Sequence, residues 1–180
     1  MIIQSEFWVP DMTNSPSTTD GLWPAFWALG NSYRATPFNE WPKCGEWDIF
    51  EGSHNLGNKG QGTLHFQDGS GTNHSGDYWG QATYSGGGYH TWAIKIDRRN
   101  ANTDLHKILW YLDGNEYKSV QKTQVPDSSS WTDLAAKSYF VIFNMAIGAW
   151  NGFTNAPSAS TLSGYASSMR IRYVAVYHST

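Results

Sequence analysis

No stretch of this chain keeps a helical period of apolar residues for long. Its hydrophobic content comes in strand-length runs cut apart by glycine, proline and Ser/Thr/Asn-rich loops. Residues 2–9 form such a run, ended by Pro10. Residues 22–29 form a dense apolar one between Gly21 and Gly30, and residues 61–66 another after a turn at 52–60. Residues 89–96 alternate well enough for a half-buried strand. Residues 107–112 and 116–120 flank Asp113-Gly114-Asn115, a hairpin signal in which Asp-Gly takes the positive-φ positions. Residues 139–147 read as a central strand. Residues 169–177 read as a last strand with Met169, Ile171 and Tyr173 on one face and Arg170 and Arg172 on the other. Stretches 11–21, 31–42 and 68–88 read as loops, and one short helix is expected at 131–136. Many strands with little helix predict an all-β sandwich or barrel.

With 180 residues and no internal repeat, the whole chain, 1–180, reads as a single domain. A hydrophobic fraction of 39% is enough for a core without disulfides, and the lone Cys44 allows none; it reads as a small buried thiol. Twelve basic and fifteen acidic residues give a net charge of −3, and the basic residues are scattered, so no nucleic-acid partner is expected. No apolar run is long enough to span a bilayer. Residues 1–20 lack the basic and apolar regions of a secretory signal. Ten Trp, ten Tyr and eight Phe sit in a chain that is only 15% charged. Flat rings in a charge-poor sheet protein suit a carbohydrate cleft as well as a core.

The only tight acidic cluster is Gly45-Glu46-Trp47-Asp48-Ile49-Phe50-Glu51-Gly52. Strand periodicity puts Glu46 and Asp48 on one face, with Trp47 and Ile49 on the other. Glu51 is out of phase by one residue. A single β-bulge between Asp48 and Glu51 would absorb the extra residue and return Glu51 to the acidic face. Glu46 and Glu51 would then stand roughly 13 Å apart at Cα, at about 3.3 Å per step. Side chains leaning inward would bring their carboxyls within roughly 5 Å, the gap of a retaining rather than an inverting glycosidase. Asp48, between them, can orient the nucleophile by a hydrogen bond. Spacing leaves open which glutamate is nucleophile and which is acid. A solvent-facing acidic edge and a calcium site are the competing readings. Trp47 and Ile49, which require a core, oppose the first, and the spread of the ligands along an extended strand opposes the second.

This strand and its neighbours resemble glycoside hydrolase family 16, in its laminarinase-like branch. The family pattern of Glu, any residue, Asp, two residues, Glu falls on Glu46, Asp48 and Glu51. Gly21-Leu22-Trp23-Pro24-Ala25-Phe26-Trp27-Ala28-Leu29-Gly30 resembles the strand before it, and Gly62-Thr63-Leu64-His65 the one after. Trp110-Tyr111-Leu112-Asp113-Gly114 and Asn144-Met145-Ala146-Ile147-Gly148 extend the likeness toward the end of the chain. The resemblance implies a concanavalin A-like jelly roll of two bent antiparallel sheets and a cleft for β-1,3 or mixed-linkage glucan. It assigns Glu46 as nucleophile, Asp48 as its assistant and Glu51 as acid/base. It implies a retaining endo-β-glucanase that needs no cofactor, and it allows a structural calcium ion on the convex side. It further implies a monomer that is extracellular or wall-associated. Full domains of the family begin several strands earlier, so a truncated sandwich with open edges and exposed apolar surface is expected here. A non-catalytic carbohydrate-binding sandwich, a transglycosylase and a galactan hydrolase are the alternatives.

Around the acids, Trp27 is the first candidate for a sugar platform, with Trp23 on the same face by alternation. Trp150 is a candidate wall, and Asn144 and His65 are candidate sugar contacts. Trp92 and Trp110 sit in well-patterned strands and are expected in the core. His54, His74, His90, His106 and His178 show no metal-ligand spacing along the chain, so no metal site is expected.

Overall fold

The computed structural model describes residues 1–13, 18–35 and 39–178; parts of the expected loops, including Pro16 and residues 36–38, lie outside these. Eleven strands and one α-helix form among the described residues. In chain order they are β1 (Ile2–Trp8), β2 (Leu22–Gly30), β3 (Glu46–Ser53), β4 (Gly57–Gln67), β5 (Asn73–His74) and β6 (Trp79–Thr83). There follow β7 (Tyr89–Asp97), β8 (Lys107–Leu112), β9 (Asn115–Gln121), α1 (Ser128–Ala136), β10 (Tyr139–Ile147) and β11 (Arg170–Tyr177). One sheet has the order β11-β1-β7-β8-β9, the other β10-β2-β3-β4-β5 with β6 also on β4; β3 therefore has a strand on each side. This is the antiparallel jelly-roll sandwich read from the sequence.

Period-two burial explains the layering. Ile3, Ser5 and Phe7 of β1 are buried, and the residues between them are not. The inner faces meet in one cluster that includes Phe7, Phe26, Phe50, Leu64, Trp92, Ile94 and Trp110. Aromatic pairs lock it: Phe26 stacks on Phe143 at 4.5 Å, and Phe7 meets Phe50 edge-on at 5.1 Å. Trp92 and Trp110 are core residues, 1% and 0% exposed. The β8–β9 turn has Asp113 at φ 48° and Gly114 at φ 81°, the geometry expected of the Asp-Gly pair.

Three local expectations need correction. Stretch 68–88 contains β5 and β6; its polar, glycine-rich sequence carries no periodicity, but its backbone pairs with β4, as in Gly62 with Gly80. The helix begins at Ser128 rather than 131, because the Asp127 side chain caps it by accepting from the Ser130 N–H at 2.9 Å. In β11, Tyr173 pairs with Glu6 whereas Ile171 pairs with Phe7. A register shift at that point puts Tyr173 on the outer face, opposite to Ile171, so the simple alternation fails there.

The sandwich is open along one side. β10 and β11 are the outermost strands of their sheets. Val176, Val174 and Ile171 pair with the buried Ile3, Ser5 and Phe7, and so point toward the interior, yet they are 50%, 50% and 44% exposed. Ile147 at the end of β10 is 58% exposed. Such a patch should bind the apolar dye ANS in the native state. The double substitution Val174→Thr with Val176→Thr should cut that fluorescence on the order of twofold. An unchanged signal would mean that this face is covered.

Candidate active site

The geometry of the site starts at one extra residue in β3. Glu46 lies opposite His65 on β4, and Asp48 opposite Thr63; Glu51 then lies opposite Gln61. Three steps on β3 thus match two on β4. On the other side, Asp48 faces Trp27 while Phe50 faces Phe26. The surplus residue is Ile49, and the bulge returns Glu51 to the face of Glu46 and Asp48. Trp47, Ile49 and Phe50 point inward and are at most 1% exposed.

A bulge interrupts the ladder and frees backbone groups that need partners. The opposite sheet supplies them through the core. The Trp110 indole N–H donates to the Asp48 carbonyl at 2.8 Å, and the Tyr117 hydroxyl reaches the Ile49 carbonyl at 3.4 Å. Gly62 of β4 makes room for both: a Cβ there would lie 2.5 Å from Trp110 Cδ1 and 2.8 Å from the Tyr117 oxygen. Trp47 is fixed from below, where its N–H donates to the Leu134 carbonyl of α1 at 3.0 Å and its ring stacks on Tyr139.

Outward, the three carboxylates lie in a cleft of two lobes. A lobe of about 360 Å³ is lined by Trp23, Trp27, Tyr33, Trp41 and Asn144 around Glu46, Asp48 and Glu51. The other, about 380 Å³, shares Glu46 and Glu51 and adds His65, Trp79, Trp150 and Phe153. All eight residues singled out from the sequence are therefore brought to one cleft. The Trp27 N–H donates to Asn144 Oδ1 at 2.6 Å, and Trp150, 57% exposed, stands with its ring 6.3 Å from that of Trp23. A larger hollow of about 600 Å³ on the other sheet holds Lys95 and Arg99, each ion-paired to Asp97, and no carboxylate pair.

Each glutamate has an indole donor: Trp41 to Glu46 Oε2 at 3.0 Å, and Trp23 to Glu51 Oε1 at 3.1 Å. Trp41 escaped the sequence reading, as did Tyr33, Trp79 and Phe153. Trp41 lies in a loop where no periodicity reports orientation, and its place five residues before Glu46 was the one available signal. His65 Nε2 lies 3.0 Å from Asp48 Oδ2 and 3.8 Å from Glu46 Oε1. Burial pushes all three carboxyls well above the ordinary range, and the neighbouring Asp48 charge adds to the rise at Glu46 and Glu51. The Asp48 rise comes from burial, and its contact with Glu46 opposes it. Such a cluster holds protons at neutral pH, and its titration belongs to the group rather than to one residue.

Comparisons with known proteins identify the family. Residues 3–104 match the model of an XgeA-like catalytic domain of glycoside hydrolase family 16. Glucan endo-1,3-beta-glucosidase A1 of Niallia circulans is 28% identical over 174 residues, covering 89% of this chain and 22% of that protein. The Beta-1,3-glucan-binding protein of Penaeus monodon is 30% identical over 163 residues, covering 74% of this chain and 40% of that one. The crystal structure of endo-1,3-beta-glucanase from Streptomyces sioyaensis superposes with a TM-score of 0.76 at 27% identity, over 96% of this chain and 62% of its own. The chain thus spans under two thirds of the length of these relatives. The match of the family model to more than half of the residues, across the strand that carries the three acids, places the chain in glycoside hydrolase family 16.

Proposed function

We propose that this domain cleaves β-1,3 or mixed β-1,3/1,4 glucan internally, with retention, through a glycosyl-enzyme intermediate on Glu46. The observation that carries the reading is the bulge at Ile49, which sets Glu46 and Glu51 on one cleft floor with Asp48 between them. In the first step the Glu46 carboxylate attacks the anomeric carbon while Glu51 gives its proton to the departing glycosidic oxygen. In the second, Glu51 takes a proton from water, which attacks the same carbon and releases Glu46. The electrostatics treat the two glutamates alike, and the assignment of roles follows the family pattern. Burial and the Asp48 charge raise both glutamates while an indole N–H and His65 oppose the rise at each, so the pair can share one proton, held by Glu51 when Glu46 attacks. Trp23, Trp27 and Trp150 offer flat faces to the sugar rings.

The choice of glucan follows the relatives, an endo-1,3-beta-glucosidase and an endo-1,3-beta-glucanase. Reducing-sugar release should therefore be greatest on laminarin, lower on barley mixed-linkage glucan and least on agarose. Proton NMR of the first product should show the β-anomer, and an initial α-anomer would refute retention. Analysis of long products would expose transglycosylation, and turnover of agarose would favour a galactan hydrolase. A second reading, a glucan-binding sandwich without turnover, is favoured by the shrimp relative's name; laminarin binding without reducing-sugar release would establish it. The reaction needs no cofactor. Among the described residues no helix is long and apolar enough to cross a membrane. We place the domain as a monomer acting outside the cell or at its wall.

A further inference from the structure

We propose that Glu46, Asp48 and His65 form a site for a divalent cation of the zinc class, occupied in competition with the sugar; the competition, though not the site, rests on the proposed glucanase reading. Spacing along one segment hides this set, because its imidazole comes from the neighbouring strand: Glu46 and His65 are cross-strand partners. One ligand atom from each residue lies within 4.8 Å of the other two. Bonds of about 2.0–2.2 Å would put adjacent ligands of a tetrahedral zinc about 3.4 Å apart, within reach of small side-chain rotations here.

A separate observation points to a missing partner. Asp48 is 3% exposed, and its Oδ2 has no hydrogen bond. His65 Nε2 is 3.0 Å away, close enough for an ion pair, but the two atoms make no aligned hydrogen bond. A buried carboxylate oxygen left in that condition is costly, and a cation lying between it and the imidazole would satisfy both. One imidazole nitrogen with two carboxylate oxygens suits zinc, or cobalt as its probe; calcium would require six to eight oxygens. The other histidine–carboxylate contacts, His74 with Asp68 and His90 with Asp113, have no third ligand among the described residues. Glu46 and His65 line the cleft, so the remaining coordination position opens where the sugar would lie, and a bound ion ties up the carboxylate that would attack it. Glu51 stays outside the set.

Equilibrium dialysis of the 180-residue protein against zinc chloride tests the site without any activity assay. One equivalent should bind. His65→Gln and Asp48→Asn should each weaken it at least about tenfold, while His106→Gln, at a histidine outside the cleft, should not. Cobalt(II) in place of zinc should give the intense visible bands of four- or five-coordination. Laminarihexaose should raise the apparent zinc dissociation constant. Absence of a stoichiometric ion, equal affinity in His65→Gln, or weak six-coordinate cobalt bands would overturn the proposal. Should Asp48→Asn fail to fold, as judged by circular dichroism, His65→Gln still decides. Zinc binding at these residues, with no laminarin turnover by the zinc-free protein, would sink the glucanase reading and leave the site standing. Turnover with no bound zinc would do the reverse.

Discussion

Glu46→Gln is expected to lower kcat on laminarin by more than about 10³-fold while leaving laminarin binding largely intact, and at the same time to raise the melting temperature. The activity loss follows because an amide cannot form the glycosyl-enzyme bond, and no other group on the cleft floor stands where Glu46 does. Binding survives because the aromatic walls, Trp23, Trp27 and Trp150, are untouched. The stability gain follows from burial. Glu46 is held beside Asp48 in a site that disfavours its charge, and a neutral isostere removes both the desolvation cost and the repulsion. A rise on the order of 5 °C corresponds to about 1–3 kcal/mol for a domain of this size. Steady-state kinetics, laminarin affinity electrophoresis and thermal unfolding of the two proteins check all three parts. Full activity in the variant would remove Glu46 from the mechanism.

The same shifts fix a pH dependence. A carboxyl raised above its unfolded value makes the folded state the greater proton binder in the window between the two, so unfolding free energy falls as pH rises through it. Glu46, Asp48 and Glu51 all act in this direction. The stability advantage of Glu46→Gln should therefore vanish in acid, where the native Glu46 is protonated anyway, and grow toward neutral and alkaline pH. For the wild type, both limbs of the kcat/KM profile should lie above the ordinary carboxylate range, the acidic limb reporting ionisation of the nucleophile and the alkaline limb loss of the acid's proton.

How far the sequence leads differs from residue to residue. The bulge was legible because Glu51 breaks a period that Glu46 and Asp48 set, and only an extra residue restores it. The inward face of β3 was legible from Trp47 and Ile49. Trp110 was legible as a core residue, but its role was not: hydrophobic pattern places a ring and says nothing of where the indole N–H points. His65 was placed on the next strand, whereas its register opposite Glu46 depends on pairing, which a single chain's pattern does not report. Trp41 and the short β5 and β6 were lost for a related reason. Their positions are set by tertiary contact and backbone pairing in stretches without periodicity. The face of Tyr173 was misread because a second irregularity, in β11, leaves no acidic residue out of phase to announce it.

Trp110→Phe, at a side chain that does not line the cleft, is expected to lower kcat about 10- to 100-fold with little change in KM. The substitution keeps a buried ring but removes the donor at 2.8 Å from the Asp48 carbonyl. A buried carbonyl left unpaired costs about 1–3 kcal/mol, and the chain can recover part of that by relaxing the bulge. Relaxation turns the acidic face, and a misplacement of about 1 Å at reacting groups is enough for a hundredfold loss. KM is spared because Trp110 is fully buried and has no surface to offer a sugar. Tyr117→Phe should follow with a smaller effect, its bond to the Ile49 carbonyl being longer at 3.4 Å. Gly62→Ala should resemble Trp110→Phe, because the added methyl occupies the space through which both donors reach β3. The control is Trp92→Phe, a substitution at an equally buried ring that packs on Phe50 but makes no hydrogen bond to the β3 backbone. It should lose comparable stability and keep most of its kcat. If Trp92→Phe and Trp110→Phe lose kcat alike, the indole of Trp110 is packing and nothing more; if only Trp110→Phe does, the core of this sandwich aims its catalytic face.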